Sequence, residues 1–200
     1  YMRRSHVVYE TLREACDRQP FDAIHFPECN APGFYTVLAK HQGLAFKRSI
    51  LCIGTHGNTR WVYEGHGQPF DSTYQLASDF MEQVCIRWCD VLVSPSLYLI
   101  YWMQEKGWDL PATWYAQQNL QPFTARGEDQ RRDDPFPLRD DISELVFFGR
   151  LEARKGLIPF CDALDLLAGG ASHAPFRVTF LGKEVIIEGM ESREYLEKRA

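Results

Sequence analysis

The stretch Ser49–Gly57, SILCIGTHG, narrows the folding options of this chain more than any other. It is an unbroken apolar run with β-branched character that ends abruptly in Thr55, His56 and Gly57. A strand that is apolar at consecutive positions, not at every second one, is a strand buried on both faces. Comparable short runs recur as FDAIHF (Phe21–Phe26), DVLVSPS (Asp90–Ser96), ELVFFG (Glu144–Gly149) and FRVTFLGK (Phe176–Lys183). Segments of helical period lie between them. Ser5 to Arg18 has His6, Val7, Val8, Leu12, Ala15 and Cys16 as its apolar stripe, and Gly33–Gly43 closes on a glycine stop. Thr73–Cys89 is capped by Asp71 or Ser72, and Leu97–Gly107 is capped by Ser96. Further helices follow Gly156 and occupy Glu191–Ala200, while Ala112–Leu120 reads as one more strand and turn. Strands alternating with helices in this way predict a parallel sheet with helices on both faces, an α/β fold.

Gln121 to Asp141 breaks the pattern, being charged, proline-bearing and nearly free of aliphatic residues, as an exposed linker would be. The expected organisation is therefore two Rossmann-like parallel-sheet units, both incomplete. Residues 1–120 form the first, 121–141 the connection and 142–200 the second. No G-x-G-x-x-G or Walker loop is present, which disfavours NAD and P-loop chemistry.

A net charge of -5 argues against a broad nucleic-acid or anionic-membrane surface. No apolar run reaches the roughly 18–20 residues of a membrane helix, and the opening segment has no signal-peptide core. Cys85 and Cys89 lack a second pair at zinc-ligand spacing, and Cys16, Cys29, Cys52 and Cys161 stand in apolar surroundings. They are expected to act as small free hydrophobes in a reducing, cytoplasmic compartment.

In open α/β sheets, ligands bind beyond the carboxyl ends of the strands. The informative residues are then His25 and Glu28, the run His56–Gly57–Asn58, Ser94–Ser96, Arg150–Lys155, and Gly182–Lys183. Gly149 allows close backbone approach, and Arg150 offers a planar fork of donors suited to phosphate oxygens. Lys155 adds a mobile charge before the helix that Gly156 opens, whose free N–H groups also favour an anion. Together these form a site for a dense anion such as a diphosphate, and losing both cations should cost on the order of 3 kcal/mol or more. The alternative is a solvated loop whose surface ion pairs are each worth roughly 0–1 kcal/mol. His56 could orient a hydroxyl or take its proton near neutral pH. In the loop that follows, Trp61 and Tyr63 are candidates for stacking on a sugar, whereas Tyr98, Tyr101, Trp102 and Trp108 suit packing.

At ELVFFGRLEARKGLIPFCDAL (Glu144–Leu164) the sequence resembles the donor-site segment of family 4 glycosyltransferases, the GT-B enzymes that use nucleotide-sugar donors. Gly149, Arg150, Lys155 and Gly156 stand where that family grips the donor diphosphate. CDVLVSPSLYLIYWMQEKG resembles a second stretch of the family, SILCIGTHG its strand ending in His-Gly, and FDAIHF the strand before that. The resemblance implies two Rossmann-like domains facing across a cleft and a retaining transfer of sugar from a nucleoside-diphosphate donor. The acceptor would be a carbohydrate, a lipid-linked molecule or a small molecule. Catalytic roles then fall to His56, Arg150 and Lys155, and substrate-binding roles to His25, His56, Gly57, Asn58 and Trp61. Neither a cofactor nor a metal is implied, because protein cations neutralise the leaving diphosphate. A lipid-linked acceptor would bring the protein to the cytoplasmic membrane surface. The family's early Gly-rich loop and its later paired acidic motif fall outside the segment matched, so the chain is expected to carry the diphosphate grip and part of the acceptor side. The competing expectation is a catalytically inert scaffold of the same fold that binds sugar nucleotides or proteins.

Overall fold

The computed structural model describes residues 1–119, 143–169 and 176–199. The chain divides into two compact units, Tyr1–Pro122 and Phe123–Ala200. The segment read as a linker, 121–141, lies outside the described residues.

The first unit opens with helix α1 (Met2–Arg18), strand β1 (Ala23–Pro27), helix α2 (Phe34–His41) and strand β2 (Ile50–Gly54). Helices α3 (Thr59–Gly65) and α4 (Thr73–Trp88) lead to strand β3 (Val91–Ser94), helix α5 (Leu97–Glu105) and strand β4 (Trp114–Ala116). The four strands form a parallel sheet in chain order, β1-β2-β3-β4. This α/β arrangement is compatible with a Rossmann-like unit. Local sequence fixes the element ends as expected. Ser72 caps α4 in a reciprocal capping box with Gln75, Ser96 accepts from the Tyr98 N–H to cap α5, and Gly43 sits at φ +72° just beyond α2.

Among the described residues of this unit, helices nevertheless cover one face of the sheet. Strands that follow one another in a single direction, joined by right-handed crossovers, place every connecting helix on the same side. Ile24, Phe26, Leu51, Ile53 and Leu92 are buried there against Val37, Met81, Cys85, Ile100 and Met103. On the opposite face Ala23, His25 and Ile50 are exposed, and Cys52, Val91 and Val93 are half-buried. The expectation of helices on both faces is therefore corrected: the apolar runs were short enough to hide an alternation of buried and open positions. Two smaller corrections follow from the same face rule. Val7 points outward from α1 while Ser5 is buried, and Tyr98 and Tyr101 are exposed on α5 while Trp102 and Trp108 join the core.

The second unit pairs strand β5 (Glu144–Phe148) with the parallel strand β6 (Arg177–Leu181) across helix α6 (Leu157–Ala168). A single 3-10 turn, Ala153–Lys155, precedes α6. A hairpin of β7 (Ile186–Ile187) and β8 (Met190–Glu191) then leads into helix α7 (Ser192–Arg199). That hairpin was not expected from sequence. Its turn residues Glu188 and Gly189 both have positive φ, the requirement of a tight hairpin connection. Leu151, Leu157, Cys161, Ile187 and Tyr195 form the core of this unit. Arg199 of α7 bonds Asp162 and Asp165 of α6, fastening the two helices together.

Candidate functional site

In the first unit, the carboxyl ends of β1 and β2 are organised by two glutamates that are fully buried. Glu28 follows β1 directly. Its Oε1 accepts hydrogen bonds from the backbone N–H groups of both His56 and Gly57, the latter at 2.6 Å. Glu82 reaches the same region from α4. Its Oε1 accepts from Asn30 N–H at 2.9 Å and from the Thr59 hydroxyl at 2.8 Å, and its Oε2 accepts from Thr59 N–H at 2.7 Å. Burial pushes the Glu82 carboxyl up to about 7, opposed by the donors from Thr59 and Asn30 and reinforced by the charge of Glu28. The segment these carboxylates hold is conformationally costly. Asn30 and Ala31 have φ of 62° and 44°, and Gly57 has φ of 131°.

His56 stands exposed at the tip of this arrangement, with its backbone held and its imidazole directed away from the core. His25 projects from the open sheet face and lies across Gly54, where a Cβ would come within 2.5 Å of its Nε2. Gly57 lies against the Trp61 indole, with 3.2 Å between the place of a Cβ and the ring. Asn58, Trp61 and Tyr63 also make contacts within the fold. Asn58 is fully buried, and its side-chain oxygen caps α3 by accepting from Trp61 N–H at 2.9 Å, so it shapes the turn from within. Trp61 and Tyr63 belong to α3 and not to a loop. The Trp61 ring packs against the core and under Gly57, while the Tyr63 hydroxyl accepts from Gln75 Nε2.

In the second unit, Gly149 has φ of 148° and its N–H donates to Leu181 O at 3.0 Å. Gly182, after β6, is pressed against it: a Cβ at Gly182 would overlap the Gly149 carbonyl. The two strand ends thus run side by side, continued by Leu151 N–H donating to Lys183 O at 2.9 Å. Arg150 is about half exposed and lies 3.2 Å from Glu152, a buried carboxylate that also takes a 2.9 Å hydrogen bond from Arg154. Lys155 is exposed at the end of the 3-10 turn and forms no ion pair among the described residues. Gly156 follows at φ 83° and starts α6 without a side-chain cap; Leu157 at the first position is fully buried and Pro159 carries no N–H, so the half-buried Ile158 supplies the N–H of that first turn.

Gly149, Arg150, Lys155 and Gly156 therefore sit on one continuous segment between β5 and α6, and His56, Gly57 and Asn58 on another that leads into α3 and Trp61, with His25 one strand away from the second. Sequence reasoning missed Glu82 altogether, took Glu152 only as one charge of a solvated cluster with Arg150, Arg154 and Lys155, and noted Glu28 only as a neighbour of His25. Glu82 did carry a signal, because it falls on the buried stripe of α4 with Ser78, Met81 and Cys85. A carboxylate among buried helix positions must have partners.

The thiols show no sign of activation. Burial raises Cys29, Cys52, Cys85, Cys89 and Cys161, taking Cys89 to about 12. Cys29 is exposed, contrary to its apolar neighbourhood in sequence. Among the described residues, no helix is long and apolar enough to cross a membrane. Comparison with protein-family models, with curated proteins and with solved structures finds no match to this chain. The fold and the strand-end loops therefore define the class, an α/β protein built on a parallel sheet, and the chemistry of those loops must carry the functional argument.

Proposed function

We propose that this protein is a glycosyltransferase of the GT-B type that takes its sugar from a nucleoside-diphosphate donor, with the anion grip in the second unit. The observation that carries the reading is the loop after β5. Within eight residues it offers a glycine at positive φ, a half-exposed guanidinium, an exposed ammonium and the uncapped N-terminus of α6. Arg150 and Lys155 would neutralise the charge that grows on the leaving diphosphate, usually the largest catalytic term in such a transfer. Gly149 and Gly156 would let the backbone approach the phosphates. His56 would orient a hydroxyl of donor or acceptor from the first unit, with His25 and Gly57 beside it. No metal or cofactor is required by this scheme, and the acceptor would be a carbohydrate or a lipid-linked molecule.

The contact between Arg150 and Glu152 favours one competing reading, an inert scaffold whose cations simply satisfy a buried carboxylate. Magnitudes weigh against it. Arg154 also bonds Glu152, so the half-exposed Arg150 can leave without stranding that carboxylate, and each charge-assisted bond to a phosphate contributes about 1.5–3 kcal/mol. A diphosphate would therefore draw Arg150 away. Calorimetric titration with UDP, GDP and ADP tests the proposal, repeated on folded Arg150→Ala and Lys155→Ala variants. Binding of one nucleotide that weakens at least tenfold in either variant is the expected result. Absence of binding, or binding indifferent to both changes, would overturn it.

A further inference from the structure

We infer that Glu28 is the positioning residue of the first unit, fixing where His56 is presented; the inference rests on the proposed transferase reading. Three observations lead there. Glu28 is fully buried, yet no cation pairs with it among the described residues, and its Oε2 has no hydrogen-bond partner. A buried carboxylate left so poorly compensated is a poor device for stability, since an apolar residue of similar volume would serve folding as well or better. Its Oε1, by contrast, gathers two consecutive N–H groups, those of His56 and Gly57. The turn it gathers has Gly57 at φ 131°, a region only glycine enters readily, so the bonds to Glu28 select one of several conformations open to that residue.

The backbone around Glu28 makes the carboxylate a fixed point. Its own N–H donates to Gly54 O at 3.0 Å, tying it to the end of β2, and its carbonyl accepts from Ala31 N–H at 2.8 Å. Glu82 anchors the neighbouring Asn30 and Thr59. Glu28, just past the end of β1, is thus tied both to the last residue of β2 and to the residue that presents an imidazole just beyond it. Its effect on chemistry is exerted entirely through His56, which it holds by the backbone and leaves free at the ring.

The test uses the full polypeptide with Glu28→Met and Glu28→Gln. Methionine matches the volume, removes the acceptor and favours folding; glutamine keeps an acceptor oxygen and removes the charge. NMR of the residue 56 and 57 amides and of the His56 ring reads the turn, and sugar transfer from the donor selected by the nucleotide titration reads function. Glu28→Met is expected to split or broaden the His56 and Gly57 signals. It should lower kcat about 10²-fold, the scale of a misplaced reacting group, while KM for the donor and nucleotide affinity stay as in the unsubstituted protein. Glu28→Gln should restore sharp signals and most of kcat. Unchanged turnover in Glu28→Met, with nucleotide binding intact, would overturn the inference and leave the transferase reading standing. If the unsubstituted protein transfers no sugar, the transferase reading fails instead. Unaltered His56 and Gly57 signals in Glu28→Met would then overturn the positioning role by themselves.

Discussion

Each unit ends a strand in a loop governed by a buried glutamate, and the two glutamates hold different things. Glu28 captures backbone N–H groups, while Glu152 captures side chains, the guanidiniums of Arg150 and Arg154. A backbone bond fixes φ and ψ and therefore the direction in which every following side chain leaves the chain. A side-chain bond fixes only the end of a flexible stem, which can be exchanged for a ligand. The first loop is accordingly preorganised, and the second is a set of cations that can be redistributed. For a transfer reaction this division makes physical sense. A group that orients a hydroxyl needs one position, and groups that grip a diphosphate need to change partners as the ligand arrives and leaves.

The largest expected effect breaks the second loop outright. Gly182→Ala would drive a Cβ into the Gly149 carbonyl, and backbone cannot step aside as a side-chain end can. A loss of roughly 3 kcal/mol is expected, at the upper end for overpacking. Hydrogen exchange should show amides of β5 and β6 losing protection while those of β1 and β2 keep theirs.

Next in size is the pH response of the first unit. Folding raises the Glu82 carboxyl from an ordinary 4.5 to about 7, so the folded state holds its proton more tightly than the unfolded state does. Stability from this group is thus complete below pH 4.5 and is lost as pH rises through about 7, by on the order of 3 kcal/mol. Denaturant unfolding between pH 5 and 8 should show this decline for the first unit, and Glu82→Gln should flatten it. A stability that rises over that range would refute the assignment.

Smaller again is the ligand side of the second loop. Glu152→Gln should leave Arg150 and Arg154 without their shared charge partner and raise nucleotide affinity severalfold, since Glu152 and a phosphate compete for Arg150. The same titration that tests Arg150→Ala checks this. A drop in affinity would mean that Glu152 serves by holding Arg150 ready, and the contrast between the loops would narrow.

How much of this could be read from sequence follows from the range of each interaction. Local signals were legible. The stops and caps at Gly43, Ser72 and Ser96, the strands from Ala23, Ile50, Val91 and Glu144, and the glycine–cation loop after Phe148 all depend on neighbours within a few residues. The open sheet face was not legible, because it depends on strand order and an apolar run looks alike whether one or both faces are covered. Nor was helix α3, which lies within a stretch, 56–69, rich in the Gly, Asn and aromatic residues of loops. It forms because Asn58 caps it and Glu82 satisfies Thr59 at its first turn. The bond from Glu28 to His56 spans 28 positions, and nothing near either residue announces it.

The smallest effect separates the two means by which the first loop is held. Asn58→Ala removes the cap of α3 and should cost about 1 kcal/mol. The figure should lie toward the low side of the usual range, because the Asn58 Nδ2 is itself buried without a partner and its removal recovers part of the loss. The change should appear as faster exchange of the Trp61 amide, the group the cap accepts from, with little change at His56 and Gly57. If Glu28 is what fixes the turn, α3 can fray at its first residue while the turn keeps its shape. Disorder spreading from Trp61 back to His56 would instead mean that the helix holds the turn, leaving Glu28 a subordinate part.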